Sequence, residues 1–125
     1  WKKLETKGWL IVSIPISKNK LRKRGYNQAE LLARCLFNFQ TDAILGGGIL
    51  SKIKETVSQV EIKEKEKRLA NIAGSFRVEK PESVKGKKII LIDDVFTTGA
   101  TINEAKRVLK LAGAKKVVGV VLARG

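Results

Sequence analysis

Apolar positions in this chain fall into short runs and into stripes of helical period, and the two alternate from end to end. Gly8 to Ile16 (GWLIVSIPI) is an almost unbroken apolar run, the pattern of a strand covered on both faces, and Pro15 brings it to a close. Ser17 to Tyr26 has no apolar period and reads as a basic loop, with Gly25 supplying a positive φ at its end. Asn27 then opens a helix as N-cap, with Glu30 three residues on. Its inward stripe is Ala29, Leu32, Ala33 and Leu36, with Cys35 and Phe39 at the margin, Cys35 as core filler. Gly46-Gly47-Gly48 marks a turn, and Ile49 to Ile53 a strand. Lys54 to Ile62 is polar and irregular, a candidate mobile loop. Glu61 to Ala70 has helical character, with Glu61–Lys65 and Glu64–Arg68 at i,i+4 spacing.

The second half repeats the alternation. Ser75 to Val78 is a short strand and Pro81 to Gly86 a turn. Lys88 to Ile92 is the central strand. Thr101 is expected to cap the last helix with Glu104 as its box partner, facing Ile102, Ala105, Leu109 and Ala112 inward, and Gly113 is expected to close it. Lys116 to Leu122 is a final apolar strand. Strands alternating with helices predict an α/β fold, a parallel sheet flanked by helices, in one domain over residues 1–125.

Composition narrows the chemistry. Of 125 residues 43% are apolar, enough for a packed core. The longest apolar run, Val117 to Ala123, is strand length, so no membrane insertion is expected; no signal pattern is visible, and the cytoplasm is the default. One cysteine and no histidine exclude an internal disulfide and any Ser-His-Asp or Cys-His mechanism within the chain. No methionine occurs, so the chain is expected to be a fragment of a longer protein. The 26 Lys and Arg against 12 Asp and Glu give a net charge of +14, which points to a polyanionic partner or to a lysine-rich surface without function.

The most specific chemistry lies in Ile89 to Thr101 (IILIDDVFTTGAT). Two adjacent carboxylates end a buried strand, and a loop of small and hydroxyl-bearing residues leads into a helix. In open α/β sheets ligands bind at that edge. Asp93 and Asp94 suit sugar hydroxyls or a hydrated metal ion; Thr97, Thr98, Gly99, Ala100 and Thr101 suit a phosphate at a helix N-terminus. A solvated turn is the plain alternative, but two neighbouring acids at a strand end are costly unless a cation or hydroxyls meet them. Lys18, Lys20, Arg22, Lys23 and Arg24 crowd into seven residues and suit phosphates.

All thirteen positions of that segment resemble the signature of type I phosphoribosyltransferases, which bind phosphoribosyl pyrophosphate (PRPP). A second patch resembles the competence protein ComF family: Pro15, Leu21, Arg22, Arg24, Gly25, Asn27, Gln28, Ala29, Glu30, Leu31, Leu32 and Ala33, with Tyr26 where the family has Phe. Thr56, Gln59, Arg68, Asn71, Gly74 and Phe76 follow the family's spacing, as does the ending Leu122-Ala123-Arg124. Ser17-Lys18-Asn19-Lys20 departs from the family's His-Pro and basic pair.

The resemblance implies a type I phosphoribosyltransferase-like fold and a PRPP or nucleotide ligand. Asp93 and Asp94 would hold the ribose hydroxyls, as the catalytic carboxylates, and orient Mg²⁺ through water. Thr97 to Thr101 would bind the 5′-phosphate, with Val95 and Phe96 counted among the substrate-binding residues. Lys18, Arg22 and Arg24 would lie near the pyrophosphate, and Gln59 and Arg68 on a closing loop. It further implies a part in DNA uptake, with Lys18, Lys20, Arg22, Lys23 and Arg24 contacting single-stranded DNA, with other competence proteins or a second copy as partners, and with a Cys-rich zinc-binding segment preceding this domain in full-length members. Nucleotide salvage and non-catalytic PRPP sensing remain as alternatives, and no acceptor base is named by any residue.

Overall fold

The computed structural model describes residues 8–39, 42–53, 73–96 and 99–124. In chain order they form β1 (Leu10–Ser13), α1 (Lys18–Arg24), α2 (Gln28–Phe39), β2 (Ile44–Leu45), β3 (Leu50–Lys52), β4 (Phe76–Val78), α3 (Pro81–Val84), β5 (Lys88–Phe96), α4 (Ala100–Leu111) and β6 (Lys116–Arg124). Four strands make a parallel sheet in the order β2-β1-β5-β6, and β3 and β4 pair antiparallel as a separate arm. The parallel sheet flanked by helices is the expected fold class.

The core has two layers, one on each face of β5. Ile89 and Leu91 join Leu10, Val12, Ile102, Ala105 and Leu109 on the α4 side. Ile90 and Ile92 join Ile11 and Ala33 on the α2 side, with Leu32, Leu36 and Phe37 packed against them. Residues 89–92 are at most 3% exposed. Burying each such side chain contributes about 1.5–3 kcal/mol, so β5 is the firmest element of the fold and holds its own C-terminal end still.

The helices depart from expectation in instructive ways. Lys18 to Arg24 is helical, where the sequence suggested a loop. The Ser17 hydroxyl accepts from the Lys20 amide at 3.2 Å, and Gly25, at φ +80°, closes the helix through its amide to the Leu21 carbonyl. No residue of α1 is buried, so no apolar stripe could announce it. Asn27 caps α2 as expected: its Oδ1 accepts from Ala29 N at 3.0 Å and Glu30 N at 3.4 Å. Cys35 is exposed, not core, because Ala29 and Ala33 set the buried line of α2 and Cys35 lies off it. Thr101 is not a cap. Gly99, at φ +79°, holds the N-cap position of α4 with no side-chain hydrogen bond, and Thr101 sits inside the first turn. Glu104 turns elsewhere, as described below.

The remaining expectations differ mainly at element ends. β2 is a two-residue strand with no counterpart in the sequence reading, and Pro81 to Val84 forms one helical turn. β5 runs on to Phe96 because its pairing with β6 continues to Phe96↔Arg124. The expected loop and helix between Lys54 and Ala70 lie outside the described residues.

Candidate functional site

The chain returns from β2 to the opposite side of β1 and lays β5 between β1 and β6. The strand order therefore reverses between β1 and β5, and the carboxyl ends of these two strands frame the crevice where open α/β sheets bind ligands. Asp93 stands there, 9% exposed, in register with Val121. Asp94, Val95 and Phe96 continue the strand backbone past it. Thr97 and Thr98 lie outside the described residues. Gly99 and Ala100 are buried and Thr101 is half-buried at the start of α4. Gly99, the N-cap residue, supplies no side-chain cap to that helix, and a helix start carries the positive end of its dipole, which suits an anion.

The end of β1 is tied to the same place. The Ile14 amide donates to the Ile92 carbonyl at 2.9 Å, one residue before Asp93. Asn27 then donates from Nδ2 to the Ile14 carbonyl at 3.1 Å while its Oδ1 caps α2. One side chain thus fixes both the strand exit and the helix entry, and α1 is strung between these anchors. Lys18, Lys20, Arg22, Lys23 and Arg24 all belong to α1, beyond the carboxyl end of β1. Lys20 is half-buried and the other four are exposed; Arg22 donates to Asn19. The structure brings α1 and Asp93 to the same edge of the sheet. Gln59 and Arg68 lie outside the described residues.

Two cavities open at this edge. One, of about 220 Å³, lies between Ser13, Pro15, Asn27, Glu30, Arg34 and the Gly46-Gly47-Gly48 loop. Glu30 and Arg34 are ion-paired across one helical turn at its rim, 3.2 Å apart. The other, of about 140 Å³, is an apolar groove with Asp93 at its end, walled by Leu32, Leu36, Ile92, Val120 and Val121.

A buried carboxylate that sequence reasoning assigned differently braces the site from behind. Glu104 of α4 is 8% exposed. Its Oε2 accepts from the Gly74 amide at 3.1 Å and from Arg107 Nη2 at 2.7 Å, and its Oε1 from Arg107 Nε at 2.9 Å. The Arg107 guanidinium first, and then the Gly74 amide, hold Glu104 below the usual carboxylate range against the opposing effect of burial. Gly74 leads into β4, so the bond ties the antiparallel arm to α4. The spacing from Thr101 suggested a capping box; the actual partners are Arg107, three positions on, and Gly74, 30 positions back and beyond any local signal.

Among the described residues no three His, Cys, Asp or Glu side chains cluster as a ready metal cage. The expected strand end at Ile92 is only the end of the pairing with β1, since β5 continues to Phe96; two adjacent carboxylates just past that pairing fit a hard, hydrated ion such as Mg²⁺, which keeps several waters and takes few protein ligands. No helix among the described residues is long and apolar enough to cross a membrane.

Comparison with known proteins agrees with this geometry. A family model described as phosphoribosyl transferase domain matches residues 22–125. Competence protein ComFC of Bacillus subtilis is 39% identical over 103 residues, covering 82% of this chain and 39% of that protein. Competence protein F of Haemophilus influenzae is 34% identical over 109 residues, covering 86% and 46%. DNA utilization protein YhgH of Escherichia coli K12 is 32% identical over 110 residues, covering 86% and 45%. The chain spans less than half the length of these relatives. With its central strand, acidic end and helix start lying inside the matched stretch, the chain belongs to the phosphoribosyl transferase domain family, in the group of the ComF competence proteins.

Proposed function

We propose that this domain binds PRPP, or a nucleotide carrying the same ribose 5-phosphate, at the carboxyl end of β5, and that it serves DNA uptake on the cytoplasmic side. The observation that carries the reading is the placement of Asp93 at the strand-order reversal, six positions ahead of the helix start at Gly99. Asp93 and Asp94 accept from the ribose 2′- and 3′-hydroxyls and orient hydrated Mg²⁺. The turn ending at Thr101 takes the 5′-phosphate. The cations of α1 face the pyrophosphate end, with Gln59 and Arg68 as further contacts.

Phosphoribosyl transfer displaces pyrophosphate from C1 through a transition state with oxocarbenium character. The work left to the protein is to position the sugar, screen the leaving charge and exclude water. Mg²⁺, when bound, screens the pyrophosphate. The DNA part of the reading is supported by the names of the relatives, which are competence and DNA utilization proteins.

Calorimetric titration with PRPP and Mg²⁺ tests the site. Asp93→Asn with Asp94→Asn should weaken binding by several kcal/mol, since hydrogen bonds to charged groups contribute about 1.5–3 kcal/mol each. Wild-type affinity in that double variant would refute the assignment. Pyrophosphate release measured over a panel of bases separates a catalyst from a sensor.

A further inference from the structure

We infer that the amino end of the sheet, remote from the nucleotide crevice, is a second anion surface that carries the phosphodiester backbone of single-stranded nucleic acid. Lys85, Lys87 and Lys88 lead into β5, and Lys115 and Lys116 lead into β6. The two strand starts lie side by side: Lys88 is in register with Lys116, and the Lys87 carbonyl accepts from the Lys115 amide at 2.8 Å. The two preceding turns pack together, with Gly86 N donating to Gly113 O at 2.8 Å and Lys85 atoms 3.3–3.5 Å from where a Cβ on Gly113 would stand. Lys110, in the last turn of α4, reaches in to donate to the Lys115 carbonyl at 3.1 Å. Six lysines therefore share one end of the molecule, and all six are exposed. Among the described residues none of the six lysines forms an ion pair. Ammonium groups this close repel one another unless an anion or salt screens them.

The patch has the form of a backbone reader. Among the described residues it is made of strand starts, turns and the last turn of α4, and no helix presents a whole face that could lie in a duplex groove. It holds lysine and no arginine, so it offers point charges and not the planar fork that reads guanine. Trp9 lies at its margin with the Lys88 ammonium 5.7 Å from its ring. The surface is separate from the nucleotide site: Lys88 and Asp93 are five residues apart on an extended strand, about 16 Å at roughly 3.3 Å per residue. Charge on this end thus serves a partner that PRPP does not displace, which sets it apart from the cations of α1.

The test is fluorescence anisotropy of a labelled oligo-dT across a salt series. Wild-type protein is compared with Lys85→Gln, Lys87→Gln, Lys115→Gln, Lys116→Gln combined, each with and without saturating PRPP and Mg²⁺. Four phosphate contacts at about −0.7 each make the salt slope of the variant shallower by about 2 to 3, with affinity at low salt reduced on the order of tenfold or more. PRPP should leave the wild-type curve in place, and the variant should keep its thermal unfolding midpoint and its PRPP titration. Unchanged affinity and slope in the variant would overturn the inference, as would displacement of the oligonucleotide by PRPP. Binding to phosphatidylserine vesicles without binding to the oligonucleotide would overturn it in favour of a membrane surface. Failure of PRPP to bind at all would refute the nucleotide site and leave this result standing.

Discussion

Replacing Glu104 with alanine probes the brace behind the phosphate-type turn. The substitution removes three hydrogen bonds from one buried carboxylate, but they do not count equally. The Arg107 side chain is 55% exposed, so water receives its guanidinium and little is lost there. The Gly74 amide loses a charged acceptor; a bond of this kind contributes about 1.5–3 kcal/mol, and because Gly74 is exposed the low end applies. Alanine returns a few tenths of a kcal/mol in helix propensity. The net cost is about 1–2 kcal/mol, a fall in Tm of roughly 3–10 °C for a domain of this size. Urea unfolding at pH 7 reads it directly.

The pH dependence gives a second reading. Glu104 titrates lower when folded than when unfolded, so its contribution is complete above the ordinary carboxylate range and is lost as pH falls through the folded value. The gap in stability between wild type and Glu104→Gln should hold from pH 7 to about pH 5, shrink as the pH falls below the ordinary carboxylate range, and close once it has passed the lowered folded value. A gap that is absent at pH 7, or that widens in acid, would refute the brace.

Asn27→Ala should cost about 1–2 kcal/mol, since it removes the cap of α2 and the bridge to Ile14 together; denaturant midpoints check it, and a change within 0.5 kcal/mol, roughly the scatter of surface substitutions, would count against that double role. Gly99→Ala should lose about 1–2 kcal/mol of stability because φ is +79°, and Gly99→Val should also weaken PRPP binding in calorimetry; a variant of full stability would mean the turn tolerates side chains. The apolar groove and β6, outermost in the sheet among the described residues, where Val118 and Val120 are 37% and 40% exposed, should drive self-association at high concentration, relieved by Val120→Lys; a monomer at every concentration in sedimentation velocity would contradict this.

What the sequence disclosed follows from how local each signal is. β5 was legible because four consecutive Ile and Leu residues are buried on both faces, and Asn27 because a cap acts within three residues. The acidic pair was legible because strand, carboxylates and turn are contiguous in the chain. α1 was hidden: a helix with no buried residue has no apolar period to display, and only Ser17 and Gly25 mark its ends. Thr101 and Glu104 have the spacing of a capping box, yet the helix starts at Gly99 and the carboxylate answers to Gly74 and Arg107. Cys35 was misplaced because a margin position can roll outward once two alanines let α2 approach the sheet. β2, two residues long, is defined by its pairing with β1 and by nothing in its own sequence.

The strand order also dictates a sequence of events during folding. β5 and β6 are joined through α4, and Lys88 meets Lys116 only 28 positions along the chain. β1 must find β5 across 79 positions, from Leu10 to Ile89. Loop closure costs more for the longer span, and pairings far apart in sequence slow the approach to the native state. The β5–α4–β6 unit is therefore expected to consolidate first, with β1 adding to its exposed edge late. In that interval the crevice has only one wall, so a ligand binds only after β1 has docked and does not speed that step. In a stopped-flow experiment PRPP should leave the refolding rate unchanged and slow unfolding alone.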